Sequence, residues 1–224
     1  MPQSGFEEGF TTSTSGSLDT WVKEIHAKVP GAVEGYLYDQ LKLVVSDFFQ
    51  RTKSWRTVYG PFTILGDDGT YCLNPFDGVS KVVQVLSLYK NGTHYTPIQV
   101  TKVQASNTSG HTDPRMYYVD PYDTIVLTPT PTQDVENLFV DVALTPRLLT
   151  NNRIPQWIVD QCYEAILAGT LKRLYEEPDK VYSNATKAEY WGKLYRAELA
   201  RSRIVGNQNY KAGPAPWTFN RWNM

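Results

Sequence analysis

The sequence predicts an α+β fold in which helices from both ends of the chain form a small bundle, with an antiparallel block of strands inserted between them. Three observations carry that expectation. Apolar residues recur at helical spacing near both ends, over 33–50 and again over 155–200. Between Trp55 and residue 152 the texture turns to short β-rich runs parted by turn residues. Nothing helical lies among those runs to make the long crossovers that parallel strands require. Amphipathic helices must bury their stripes, so the two separated pairs meet and the strand block becomes an excursion from their bundle.

Taken in order, residues 1–16 (MPQSGFEEGFTTSTSG) are rich in Gly, Ser and Thr without periodicity and read as an arm with no secondary structure, which Phe6 and Phe10 would anchor on a neighbour. Ser17 is placed to cap a first helix that carries Trp21 and Ile25 and stops before Pro30. In the second helix Val33, Leu37, Leu41, Val44 and Phe48 step by four, four, three and four, the spacing of one buried stripe. The bundle is therefore assigned residues 17–53 and 153–204, the strand insertion 54–152 and a C-terminal tail 205–224.

Seven runs make up the insertion: RTVYGPFTIL, GTYCLN, KVVQVLSLYK, THYTPIQV, RMYYVD, DTIVLTPTP and LFVDVALTP. Asn91-Gly92 between two of them predicts a type I′ hairpin, since both central positions need positive φ. In the last run Leu138, Val140, Val142 and Leu144 alternate with Phe139, Asp141 and Ala143, the period of a half-buried strand.

Helical spacing returns at Ile154-Pro155, with the proline expected at the first helical position. Ile158, Cys162, Ala165 and Gly169 line one face of that helix; three of the four are small, so the helix over 33–50 is expected to pack closely there. Pro178 ends it. Asn184 is a good cap for a final helix that sets Ala188, Trp191, Tyr195 and Leu199 on one stripe and pairs Glu189 with Lys193 outside it.

Composition narrows the function classes. The chain has 224 residues, 41% hydrophobic and 20% charged, which suits a folded domain of adequate core. Its two cysteines, Cys72 and Cys162, are too far apart for a local metal site or a disulfide framework. No stretch approaches the roughly 20 apolar residues of a membrane span, and the first residues lack the order of a signal peptide, so cytoplasmic synthesis is expected. The net charge of −1 hides an asymmetry: from Ser183 onward seven basic residues face two acidic ones. Lys193, Arg196, Arg201 and Arg203 lie in that region and are candidates for facing DNA or an acidic partner.

Catalytic chemistry finds no foothold. Nucleophilic catalysis needs a Ser or Cys beside a base, and none of His26, His94 or His111 neighbours a nucleophile elbow. No His, Cys or carboxylate set has zinc spacing, no glycine-rich segment matches a phosphate loop, and Asp67-Asp68 and Glu176-Glu177 sit at turn or helix ends where carboxylates are ordinarily solvated. No enzyme, metal or cofactor is expected. The tail holds the strongest binding signal: Tyr210, Pro214, Pro216, Trp217, Phe219 and Trp222 are more apolar than a free terminus should leave in water, and they read as anchors for a partner surface.

In this order the chain resembles the head-to-tail adaptor (head-completion, connector) proteins of tailed bacteriophages, from about Leu18 to Ile204. The resemblance rests on FFQRTKSWR after the early helix, on GTYCLNPFDGVSKVVQVLSLYKNG, on PRMYYVDPYDTIVLTPTP, on VDVALTP, and on IPQWIVDQCYEAILAGTLKRLYEEPDKVYSNATKAEYW. It implies a helical bundle carrying a β-sandwich or barrel, assembled as a homo-oligomeric ring of twelve copies under the portal protein. That ring would lie at the virion neck, continue the channel for double-stranded DNA, and dock a tail nozzle or tail-tube protein, with no membrane involved. It also implies that the tail aromatics reach the portal. From a different class, the Tyr and Trp content fits a β-sandwich module that binds carbohydrate or peptide; a hydrolase would need a pocket with converging polar groups.

Overall fold

The computed structural model describes residues 15–73, 80–97, 116–120, 123–147 and 153–209. The fold is α+β, with four helices and ten strands among the described residues. The chain divides into two compact units, residues 1–47 with 146–198 and residues 48–145 with 199–224.

The helical unit holds helix α1 (Asp19–Lys28), most of α2 (Glu34–Thr52), α3 (Gln156–Glu176) and most of α4 (Ala185–Asn209). Trp21, Val22 and Ile25 are the buried side of α1. Trp21 stacks on Tyr163 of α3 with ring centroids 5.4 Å apart, and its indole N–H donates to the Tyr163 carbonyl at 3.0 Å, so the largest apolar side chain of α1 is buried with its one donor satisfied. Tyr175 of α3 donates to the Lys28 carbonyl at 3.2 Å at the other end of α1. On α2 the stripe Leu37, Leu41 and Val44 is buried as expected, each such side chain contributing about 1.5–3 kcal/mol. Val33 departs from it. It precedes the first turn of α2 and is 76% exposed, because the helix starts at Glu34 and the chain before it has no helical face to present.

Helix α3 is buried on every side from Ala165 to Leu171, as a central helix must be. Its one hydroxyl there, Thr170, donates to the Ile166 carbonyl at 2.8 Å. Gly169 is the point of closest approach: a Cβ there would lie 2.6 Å from Val44 Cγ1 and 2.8 Å from the Tyr195 ring, so α3 meets α2 and α4 through a gap that fits only hydrogen. The cap of α4 forms as read, Asn184 Oδ1 accepting from the Lys187 N–H at 2.9 Å. The helix runs on to Asn209, beyond the boundary at 204 assigned from the sequence.

Three expectations at element edges are corrected. Residues 15–17 are not a bare arm: β1 (Ser15–Ser17) pairs antiparallel with β10 (Arg153–Pro155). A Cβ at Gly16 would meet Val159 Cγ2 at 2.5 Å, so the small residues that looked like a linker are what let the strand lie against α3. Ser17 consequently ends a strand, and Leu18 takes the N-cap position of α1, while Ser17 Oγ accepts from the Asp19 N–H at 3.2 Å. Pro155 likewise closes β10, at the N-cap of α3, and is not the first helical residue.

The second unit contains two sheets, ordered β2-β9-β4-β5 and β3-β8-β7-β6. The first comprises β2 (Arg56–Ile64), β9 (Val135–Pro146), β4 (Ser80–Lys90) and β5 (Thr93–His94); the second β3 (Thr70–Cys72), β8 (Thr124–Thr128), β7 (Met116–Asp120) and β6 (Thr96–Pro97). Leu138, Val140, Val142 and Leu144 of β9 share one core with Leu88 of β4 and with Tyr117, Ile125 and Leu127 of the other sheet. Lys90 pairs with Thr93 across Asn91 and Gly92, both at positive φ, as the Asn-Gly pair predicts. The pairs β1–β10, β2–β9, β3–β8, β4–β5 and β7–β8 are antiparallel, and one pair is not. β6 joins β7 in parallel over two residues, and THYTPIQV is split in two: the Tyr95 N–H still donates to the Leu88 carbonyl of β4 at 2.8 Å, and Thr96 and Pro97 then pair with β7 of the other sheet.

Candidate assembly surfaces

The surfaces that distinguish this chain are an outward face of α4 and the outer face of the sheet built on β9. On α4, Ala188, Tyr195 and Leu199 are buried and Trp191 is half-buried with Lys28 5.9 Å above its ring, which fixes the inward side. Tyr195 donates to Asp47 at 3.1 Å, holding the helix to α2. The opposite side carries Tyr190, 58% exposed, and Leu194, 39% exposed, four residues apart and so side by side.

The four cations named from the sequence are all exposed but do not form one face. Lys193 and Arg201 lie on the outward side with Tyr190 and Leu194, while Arg196 and Arg203, seven residues apart, share a side bordering the buried stripe. Lys193 pairs with Glu189 at 2.8 Å, and that hydrogen bond, with the lysine charge, holds the Glu189 carboxyl below the usual range. Arg203 donates through Nε to the Arg51 carbonyl at 3.0 Å, using a helix-end oxygen that the backbone leaves open. Tyr210, Pro214, Pro216, Trp217, Phe219 and Trp222 lie outside the described residues.

On the β9 sheet the outer face is part apolar and part acidic. Val58, 46% exposed, stands opposite Asp141 in the ladder, and Phe139 stacks on Tyr89 of β4 with centroids 5.6 Å apart. Asp141 Oδ1 is enclosed and receives no hydrogen bond from the described residues; Thr145 Oγ1, further along the same face, is in the same condition. Burial pushes the Asp141 carboxyl up, with the positive charge of Arg56 pulling it back. Sequence reasoning missed this site. The signal was present in the alternation, which set Phe139 and Asp141 together on the face opposite the core, with an acid in mid-strand.

His26 is exposed at the end of α1, and exposed His94 lies with its ring centroid 5.4 Å from that of Tyr89; His111 is outside the described residues. Cys162 is buried, its thiol pushed up to about 12 by desolvation, and so is inert; Cys72 is exposed. Among the described residues no group of three or more His, Cys, Asp or Glu is arranged to hold a metal ion, and no helix is long and apolar enough to cross a membrane. An open groove of about 390 Å³ in the strand unit is lined by Val83, Val85, Pro97, Tyr117, Val119 and Asp120.

The chain matches the family model described as SU10 adaptor protein over residues 16–218 and belongs to that family, a family of phage head-to-tail adaptors. No curated protein matches it. Membership puts the chain among structural proteins of the bacteriophage virion.

Proposed function

We propose that this chain is the subunit of a ring, of twelve copies, that sits under the portal at the virion neck, continues the channel for double-stranded DNA and docks a tail nozzle or tail-tube protein. The observation that carries the reading is the family match spanning both units. The architecture suits it: the helices over 17–53 and 153–209 act as a bundle, residues 54–152 as an inserted β-sandwich, residues 1–14 as an arm and residues 210–224 as a reaching tail. Each part then has a separate neighbour to meet, and the chain would be made in the host cytoplasm before joining the head.

In this reading Tyr210, Pro214, Pro216, Trp217, Phe219 and Trp222 anchor on the portal, because aromatic side chains deliver large buried area for few rotamers. Lys193, Arg196, Arg201 and Arg203 present positive charge to passing DNA or to an acidic partner. Charge of that kind on an exposed helix serves passage through phosphate attraction without reading sequence.

The test is removal of residues 210–224, just past the end of α4, followed by sedimentation with purified portal rings. The truncated chain is expected to keep its thermal midpoint and lose portal binding. Undiminished binding by the truncated chain would overturn the role given to the tail.

A further inference from the structure

Helix α4 turns an apolar ridge away from α2 and α3. Tyr190 and Leu194 are 58% and 39% exposed, and exposed Ala197 continues them at spacings of four and three, along one face of the helix for about 10 Å. The inward stripe of Ala188, Tyr195 and Leu199 is already buried, so the helix cannot turn the ridge inward without uncovering that stripe. From Ala185 to Ile204 the helix carries five basic residues and two acidic, and Lys193 stands between Tyr190 and Ala197. Its present partner Glu189 is a solvent-exposed neighbour one turn away, and such surface pairs contribute little.

Two segments outside the described residues carry aromatic side chains that would cover such a ridge, and charge separates them. Residues 210–224 hold Lys211 and Arg221 with no acid, so α4 repels them. Residues 1–14 hold Glu7 and Glu8 with no base, set between Phe6 and Phe10 in the run FEEGF. On an extended chain Phe6, Glu8 and Phe10 fall on one side, with the two rings about 13 Å apart, close to the length of the ridge.

Reach decides which copy receives them. Ser15 pairs with Pro155 just before α3, so residues 1–14 depart from that end of the helix. A Cβ on Gly169 would meet Tyr195 and one on Gly192 would meet Lys172, so α3 and α4 run antiparallel with Leu194 near the level of Gly169. Gly169 is about 21 Å along α3 from Pro155, and the outer side of α4 lies a further helix diameter away, about 10 Å. Phe10, five residues before Ser15, extends at most about 18 Å from it. It cannot lie on the ridge of its own chain.

We propose that residues 1–14 of one copy lie along α4 of the next copy, with Phe6 and Phe10 covering Tyr190, Leu194 and Ala197 and with Glu8 accepting from Lys193. This rests on the ring reading above and assigns a link between neighbouring subunits. An arm of one copy on a helix of the next is a heterologous contact, the kind that closes a ring by repetition.

Disulfide trapping of full-length chains tests it, in a Cys72→Ser background where the remaining Cys162 is buried. Phe10→Cys chains mixed with Leu194→Cys chains are expected to give a linked pair under mild oxidation, and neither chain alone is. A chain carrying both cysteines should give a ladder of linked multimers; a single chain closed on itself would overturn the assignment to the next copy. Glu8→Lys and Lys193→Glu should each weaken self-association by roughly tenfold or more, and their combination should restore it. Glu7→Lys, on the other side of the arm, should leave it in place. Rings that form undiminished after removal of residues 1–14 overturn this contact and leave the ring standing. A wild-type chain that sediments as a monomer both alone and with portal overturns the ring and this contact together.

Discussion

Gly169 and Val44 are packed so closely that a single methyl group on the glycine would lie 2.6 Å from the valine Cγ1. Neither neighbour has room to retreat, since Val44 is buried in α2 and the Tyr195 ring on the other side is tied through its hydroxyl to Asp47. This contact brings α2, α3 and α4 together at one point.

Replacing Gly169 by Ala is expected to destabilise the chain by about 1 kcal/mol. Overpacking costs about 1–3 kcal/mol, which exceeds the roughly 1 kcal/mol that alanine gains over glycine inside a helix. Urea denaturation of Gly169→Ala against wild type reads the difference. A more stable variant would show that α2 or α4 yields at this point.

Two glycines at positive φ should respond very differently to alanine. At Gly92 nothing lies within 4 Å of a new Cβ, so Gly92→Ala costs only the left-handed backbone, about 1 kcal/mol. At Gly60 the Cβ would strike the Leu138 carbonyl oxygen at 2.6 Å, inside the β2–β9 ladder, and Gly60→Ala is expected to cost more than about 3 kcal/mol. Equal denaturation midpoints for the two variants would contradict the register of β2 on β9.

Asn184→Ala removes the acceptor of the Lys187 N–H and should lower stability by about 1 kcal/mol, while Asn184→Asp keeps the cap. Thermal unfolding of the pair separates a lost cap from a lost side chain: only the alanine variant should fall.

Asp141 gives a pH dependence. Burial holds its proton more tightly in the folded chain than in the unfolded one, against the pull of Arg56. A carboxyl with a raised folded pKa stabilises the fold fully below its ordinary value of 3.8, and that contribution is lost as pH climbs through the raised value. Asp141→Asn should therefore remove a decline in stability that sets in as pH rises above the ordinary carboxylate value, and the variant should be the more stable of the two chains once the carboxyl is ionised. Denaturation midpoints across that range check it, and parallel pH curves for the two chains would count against a desolvated carboxyl.

Where local spacing decides structure, the sequence was readable. The stripe of α2 from Leu37 to Phe48, the small face of α3 that culminates in Gly169, the Asn184 cap and the Asn91-Gly92 hairpin all depend on residues within a few positions of one another, and these appear as read. Where a distant partner decides, it was not. Ser15–Ser17 becomes a strand only because β10 lies more than a hundred residues away, and Thr96-Pro97 changes sheets to meet Met116 and Tyr117. Val33 has the right spacing but falls before the helix that would have given it a face. The same limit applied to the candidate surfaces. Exposure of Tyr190 and Leu194 follows from the stripe that buries Tyr195, but the unpaired oxygen of Asp141 depends on which strand neighbours supply donors. The basic residues looked like one cluster because they are close in sequence; helical rotation divides them between two sides of α4.

Electron microscopy of intact virions addresses the central claim most directly. The account predicts that density for this chain forms a closed ring of twelve copies between portal and tail, with the DNA path running through it. Density for the chain at any other position, or a portal joined to the tail with no such ring between them, would contradict it.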